Sequence, residues 1–265
     1  MSTTFSKLMA SAKGEGGAVV LDVPADWMQG RSVFGGLQMA LALRAMRTLV
    51  PSSTLRTLQA TFIGPVKEGA MRARAQVLRS GKNAVHVEAR IVDGDVPLAI
   101  VMGVFGEARR SAVTVVPSRP HVAVPEGVRL RALDDMPGMA PSFTQHFDAQ
   151  WMRGAPPFAG DRAREHVIAL AMKDEGNATE EHVVALADFI PPIALTYLEG
   201  MAPASTLTWM LELVADNVDH LPLRGWRVDA ELVAGHDGYT SQSVMLWGPD
   251  GSPVAISRQS MLVFG

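Results

Sequence analysis

The chain has 265 residues, 48% of them hydrophobic, with a formal net charge of −3 and no cysteine. That length and hydropathy allow one large core or two of the usual domain size of about 100 to 150 residues, and they exclude disorder as the general state. The slightly acidic balance, with no basic run longer than Arg109-Arg110, excludes the basic footprint that nucleic acid requires, and the missing cysteine excludes disulfides, Cys-ligated zinc and a thiol nucleophile.

The opening residues, MSTTFSKLMASAKGEGG, lack the apolar core of a signal peptide, and no run approaches the roughly 20 apolar residues that span a bilayer. With the absence of cysteine, this reads as a soluble chain of the reducing cytoplasm. From Gly36 to Val50 the sequence GLQMALALRAMRTLV is apolar nearly all round, broken mainly by Gln38, Arg44 and Arg47, and Pro51 ends it. A helix this apolar must be enclosed. Four strands follow, LRTLQATFI, MRARAQVLR, AVHVEARIV and PLAIVMGVF, separated by turn signals at Gly64-Pro65, Ser80-Gly81-Lys82-Asn83 and Asp93-Gly94-Asp95. The first half, residues 1–110, is thus one buried helix followed by an antiparallel meander.

Residues 111–142 break the pattern with prolines at 117, 120, 125, 137 and 141 and read as a linker. In residues 143–265 the pattern returns. A helix begins near Asn177 or Thr179, either of which could cap it, with Glu180 three residues beyond Asn177 as in a capping box, and it runs through EEHVVALADF to Pro191. The strands STLTWMLELV, WRVDAELVA, YTSQSVMLW and PVAISRQSMLVF come after it.

The two halves align in register. Setting Pro97-Leu98-Ala99-Ile100 on Pro253-Val254-Ala255-Ile256, a shift of 156 residues, also pairs Gly94 with Asp250 and Gly69 with Gly225. One shift covering three strands without a gap, in the same order of elements, points to a duplicated unit. A two-sided apolar helix is satisfied only where a sheet curves round it, so each copy is expected to be an α+β layer of the hotdog kind. The whole is then a double hotdog whose sheets can join edge to edge.

In a duplicated frame, polar residues in one copy where the other stays apolar mark chemistry, because burying polar groups is costly without a role to compensate. Three places qualify. Ser257, Arg258, Gln259 and Ser260 align with Val101, Met102, Gly103 and Val104, so Gln259 matches Gly103. Asp188 falls near Leu43 when VVALAD is set on LQMALAL, a less secure register, and the strand Ser205-Thr206-Leu207-Thr208 opens on hydroxyls. Each has a plain alternative. An Asp at a helix end is ordinarily solvated, a strand Thr reflects β-propensity, and a Gln in a terminal strand can face water. Their joint occurrence is what favours a site.

These residues resemble the acyl-CoA thioesterase II type of double-hotdog enzyme. GRSVFGGLQMALALRAM and LQATFIGP look like that family's glycine-glycine start of the first central helix and the strand after it. ALADFIPP, STLTWMLELV and ISRQSMLVFG look like its three catalytic segments in the right order. The resemblance spans about residue 15 to 265 and implies hydrolysis of acyl-CoA to free acid and CoA, with no metal and no cofactor. An Asp, a Thr or Ser and a Gln would hold the water, here Asp188, Thr206 and Gln259, and the resemblance alone sets Thr206 above Thr208. The family carries an Asp-His pair shortly after that Thr where this sequence has Thr208-Trp209, a difference bearing on acyl-chain preference and rate. ALAD also resembles the catalytic helix of single-hotdog phenylacetyl-CoA thioesterases.

On this reading Asp188 is the general base, Thr206 and Gln259 fix the water, and backbone N–H groups at a helix start receive the oxyanion. Phe34-Gly35-Gly36 is a candidate for that start, though glycines there equally suit close helix packing. Arg258, with Arg79 and Lys82, is a candidate partner for the CoA phosphates. The seven histidines form no HxH or HExxH pattern.

A non-catalytic acyl-CoA binding protein is the competing class. An enoyl-CoA hydratase would need Asp-x-Asn-Pro-x-His, whereas Asp188 is followed by Phe189-Ile190-Pro191-Pro192-Ile193, and no Gly-x-Ser-x-Gly elbow is present. Exposed sheet edges suggest a homodimer or homotetramer.

Overall fold

The computed structural model describes residues 2–124, 126–136 and 138–265, so Pro125 and Pro137 of the predicted linker lie outside the described residues. The chain opens with helix α1 (Phe5–Ala10) and strands β1 (Lys13–Glu15) and β2 (Ala18–Val23). A small ribbon of β3 (Met28–Gln29) and β4 (Ser32–Val33) leads into α2 (Gly35–Arg47), and β5 (Leu55–Phe62), β6 (Gly69–Ser80), β7 (Val85–Asp93) and β8 (Val96–Phe105) complete the first half. The second half runs β9 (Arg131–Ala132), β10 (Phe147–Arg153), β11 (Glu165–Met172), α3 (Glu180–Ala187), β12 (Ala204–Leu213), β13 (Trp226–His236), β14 (Tyr239–Trp247) and β15 (Pro253–Val263).

Thirteen strands form one antiparallel sheet in the order β1-β2-β6-β7-β8-β5-β12-β15-β14-β13-β11-β10-β9. Each half wraps its strands round its own helix, giving two hotdog units, and β5 pairs with β12 where they meet, Ala60 opposite Trp209 and Leu58 opposite Leu211. The eight strands expected from the sequence are all present, but each unit also has strands before its helix that the sequence reading left out. Along β2 exposed and buried residues alternate over only six positions, whereas β11 is mostly buried and carries no period to distinguish it from a buried helix. The predicted linker contributes to the sheet as well, since β9 pairs with β10 through Ala132 and Gln150.

The repeat appears in backbone conformation. Gly69, the first residue of β6, and Gly225, just before β13, are related by the 156-residue shift and both have positive φ, 92° and 86°. In the β7–β8 turn the positive φ falls on Gly94 (58°), and in the β14–β15 turn on Gly251 (87°), one residue beyond the Asp250 that the shift pairs with Gly94.

α2 is built from Leu, Met and Ala, good helix formers, and ten of its residues are buried. α3 is shorter than expected. Thr179 is its cap, accepting from the His182 N–H while the Thr179 N–H donates to His182 Nδ1 at 3.1 Å, so the reciprocal partner is His182. Asn177 instead makes an isolated β-bridge with Pro222. The helix stops at Ala187 because Pro191-Pro192 follow, and a residue before proline is driven out of the helical region.

The two helices lie antiparallel. At one end Arg44 Nε donates to Glu181 Oε1 at 2.6 Å and Arg47 Nε to Glu180 Oε2 at 2.9 Å, which sets α2's basic last turn against α3's acidic first turn. At the other end Gly36 meets α3 so closely that a Cβ there would lie 3.0 Å from Ala185 Cα. The start of α2 therefore sits against the end of α3, where Asp188 is.

In the first unit the place matching Gln259 is closed. A Cβ on Gly103 would lie 2.5 Å from Met46 Sδ, so the Met46 side chain from α2 fills the space, and Leu43 is fully buried. Gly103→Ala is expected to overpack this core and cost about 1–3 kcal/mol of stability, read as a lower urea midpoint with an unchanged slope.

Candidate active site

Asp188 caps the C-terminus of α3, its N–H still bonded to the Val184 carbonyl at 3.3 Å. Its carboxylate is held from two sides. Gln259 Nε2 donates to Asp188 Oδ1 at 2.7 Å, and the main-chain N–H of Gly36 from the other unit favours the charged form from the helix start. The side chain keeps a partly accessible edge but is otherwise enclosed. Burial outweighs the Gly36 N–H and the Gln259 amide, which favour the charged form, and pushes the carboxyl up from 3.8 to about 7. Oδ2 faces Gly35, where a Cβ would stand 2.7 Å away.

Gln259 is 2% exposed on the inward face of β15, with Ser257 and Met261. Its Oε1 accepts from Gln242 Nε2 at 2.9 Å, and Gln242 Oε1 accepts the Ile193 N–H at 3.0 Å. Thr206 stands opposite Met261, so it shares the inward face with Gln259, while Thr208 stands opposite the outward Ser260. A bulge between Thr206 and Thr208 re-aims the strand start and brings Trp209 opposite Gln259. Trp209 is 1% exposed, and its indole N–H has no partner among the described residues.

The structure therefore brings Asp188, Gln259, Gly35 and Gly36 into one group and sets Thr206 on the same sheet face, without a hydrogen bond from Thr206 to either side chain among the described residues. Phe34 is the N-cap of α2, but its ring is buried in an aromatic cluster, stacked on Phe143 with centroids 4.0 Å apart. Its part in the site is to shape the start of the helix. Arg258 is not in the group. Neighbours along a strand point to opposite faces, so Arg258 projects outward, where its Nε donates to Ser241 Oγ at 3.2 Å, and any contact with CoA would be made from that outer face. Arg79 and Lys82 are exposed at the β6–β7 turn.

Gln242 is the residue that sequence reasoning missed. The 156-residue shift that singled out Gln259 hides it by pairing Gln242 with the polar His86, whereas the strand register sets Gln242 beside Gln259 as Val87 stands beside Gly103. A recess of about 550 Å³ lies between the linker and the second unit, lined by Arg119, Asp134, Asp148 and Arg224 among others, and includes none of the residues around Asp188. Among the described residues no group of three or more His, Asp or Glu is placed to hold a metal ion, and no helix is long and apolar enough to cross a membrane.

Residues 23–106 match the family model of the acyl-CoA thioesterase N-terminal domain, and residues 125–263 match that of the acyl-CoA thioesterase C-terminal domain. The chain belongs to the acyl-CoA thioesterase family. It is a thioester hydrolase. Among solved structures this thioesterase is similar to a conserved protein with a hot dog fold from Alicyclobacillus acidocaldarius, at TM-score 0.83 and 19% identity over 96% of each chain. It is also similar to an acyl-CoA thioesterase II from Mycobacterium marinum, at TM-score 0.72 and 12% identity over 96% of each chain. At these identities the likeness concerns the fold. No curated protein matches the chain.

Proposed function

We propose that this thioesterase hydrolyses acyl-CoA by direct attack of a water held by Asp188, Thr206 and Gln259. The observation that carries the reading is the Gln259–Asp188 contact of 2.7 Å, made at the place where the first unit has only Gly103 and Met46. Asp188 takes a proton from the water as the oxygen bonds to the thioester carbon. The carbonyl oxygen gains charge and is received by backbone N–H groups at the start of α2, where the Gly35 N–H has no protein partner among the described residues. The carbon–sulfur bond then breaks, and the proton passes from Asp188 to the departing CoA sulfur, leaving acid, CoA thiol and an ionised Asp188. The Thr206 hydroxyl and the Gln259 amide orient the water.

The site belongs to both units on this account, because the base comes from the second and the helix start from the first. A carboxylate acts as a base only when ionised. With Asp188 pushed up to about 7, kcat/KM for acyl-CoA is expected to rise with unit slope below that pH and to level off above it. Thiol release across pH 5 to 9 measures this, and an acid limb near pH 4 would mean that another group, or an unperturbed carboxylate, is the base.

The CoA moiety is the proposed handle of the substrate, and the work is assigned to lipid metabolism in the cytoplasm. A homodimer or homotetramer is the proposed assembly, checked by light scattering after gel filtration.

A further inference from the structure

The two ends of a primary amide have nearly the same shape, so Gln259 presents a donor to Asp188 only if something fixes which way its amide points. Gln242, fully buried and directly opposite Gln259 across β14 and β15, supplies that constraint. The main-chain N–H of Ile193 can only donate, and it meets Gln242 at 3.0 Å, so that end of the Gln242 amide must be its oxygen. The NH2 end then points the other way and donates to Gln259 Oε1 at 2.9 Å. With its oxygen taken, Gln259 turns its own NH2 to Asp188 Oδ1 at 2.7 Å. Each buried polar atom along this line is satisfied in one sense only, because reversing either amide would oppose two donors or two acceptors.

We infer that Gln242 is a positioning residue for hydrolysis, transmitting the direction of the Ile193 N–H through the Gln259 amide so that Gln259 always donates to Asp188. Pro191-Pro192 hold the anchor, since Ile193 begins the turn that follows Pro192. The first unit lacks the device entirely, with Val87 beside Gly103 in the corresponding strands.

Charged groups on the surrounding elements face elsewhere. Arg44 and Arg47 of α2 pair with Glu181 and Glu180 at the far end of the helices. Arg258 of β15 and Glu212 of β12 are outward, Arg56 of β5 pairs with Asp216, and His182 of α3 is bound at the helix start. The amide line is thus the local control on the Asp188 carboxylate, together with Gly36.

The inference rests on Asp188 being the base, and the test keeps the two apart. Gln242→Met, neutral and similar in volume, removes the line without adding charge. Gln242→Glu keeps an acceptor for Ile193 but, once ionised, demands a donor from Gln259 and so turns that amide over. Gln242→Met is expected to lower kcat about ten-fold with KM within about two-fold, and to move the acid limb upward by about half a pH unit. In Gln242→Glu the limb moves up by about one unit or more. In Gln242→Met the two Gln259 side-chain amide proton resonances, distinct in the wild type, are expected to draw together. Wild-type kcat and acid limb in both folded variants would overturn the inference. If Asp188→Asn keeps wild-type turnover, the base assignment fails, and the Gln259 resonances then decide alone, with unchanged signals in Gln242→Met overturning the line. If Gln242→Met does not fold, the Gln242→Glu profile decides.

Discussion

Replacing Asp188 by Asn is expected to lower kcat on the order of 10³-fold and, at the same time, to make the protein more stable above neutral pH. The amide retains the shape and its oxygen can still accept from Gln259, but it cannot take a proton from water. The stability gain follows from the same burial that prepares the base. The folded carboxyl holds its proton up to about pH 7, whereas in the unfolded chain it releases it near the ordinary 3.8. Between those values the native state binds more protons than the unfolded state, so this group's contribution makes stability fall as pH rises through the window, and above it the cost of ionising the largely enclosed carboxyl is present. Asn carries no such cost. The variant should therefore melt with the wild type near pH 4 and a few degrees above it at pH 8. Calorimetry at the two pH values checks the sign, and a variant less stable at pH 8 would show the carboxylate to be net stabilising. Function and stability conflict at this residue, as they commonly do where a catalytic group is kept in a costly environment.

The second large effect is expected across the seam between the units. A Cβ on Gly35 would stand 2.7 Å from Asp188 Oδ2 and 3.4 Å from the Phe62 ring, so Gly35→Ala must displace the carboxylate. Alanine is otherwise favourable in a first helical turn, and the fold should hardly notice the change. A displacement on the order of 1 Å at the reacting group can cost about 100-fold in rate, so kcat is expected to fall by about that factor with little change in melting temperature. Gly36→Ala should behave differently, since its Cβ meets Ala185 Cα at 3.0 Å and the Phe34 ring at 2.7 Å and presses the two helices apart. Its loss should appear in stability as well as in rate. If Gly35→Ala keeps wild-type turnover, the close approach of Gly35 to Asp188 is not what positions the carboxylate for reaction.

What could be read from the sequence was whatever repeats or alternates. α2 and the four strands after it, with their counterparts in the second unit, follow from apolar pattern and turn residues. The duplication made the polar exceptions visible, and Asp188 and Gln259 do meet. What escaped had no period. β11 is mostly buried, with one short run of three buried residues, so its pattern does not separate strand from helix. Arg258 was drawn toward the site by being next to Gln259 in sequence, although adjacent strand residues diverge. Thr206 over Thr208 rested on resemblance alone, and the register, with its bulge at Leu207, supplies a physical reason for the choice. Gln242 and the role of Gly36 against Asp188 depend on contacts 17 residues away and between units, which no local pattern announces.

Loss of activity on replacing Asp188 is shared by two chemistries, activation of water and direct attack by the carboxylate to give a mixed anhydride. Single-turnover hydrolysis in ¹⁸O-water, with enzyme in excess over acyl-CoA, tests the first against an anhydride that water opens at the Asp188 carbonyl. If Asp188 activates water, the acid released in the first turnover carries one solvent ¹⁸O atom and the Asp188 carboxylate carries none. An unlabelled acid, with the ¹⁸O found in Asp188, would contradict the account.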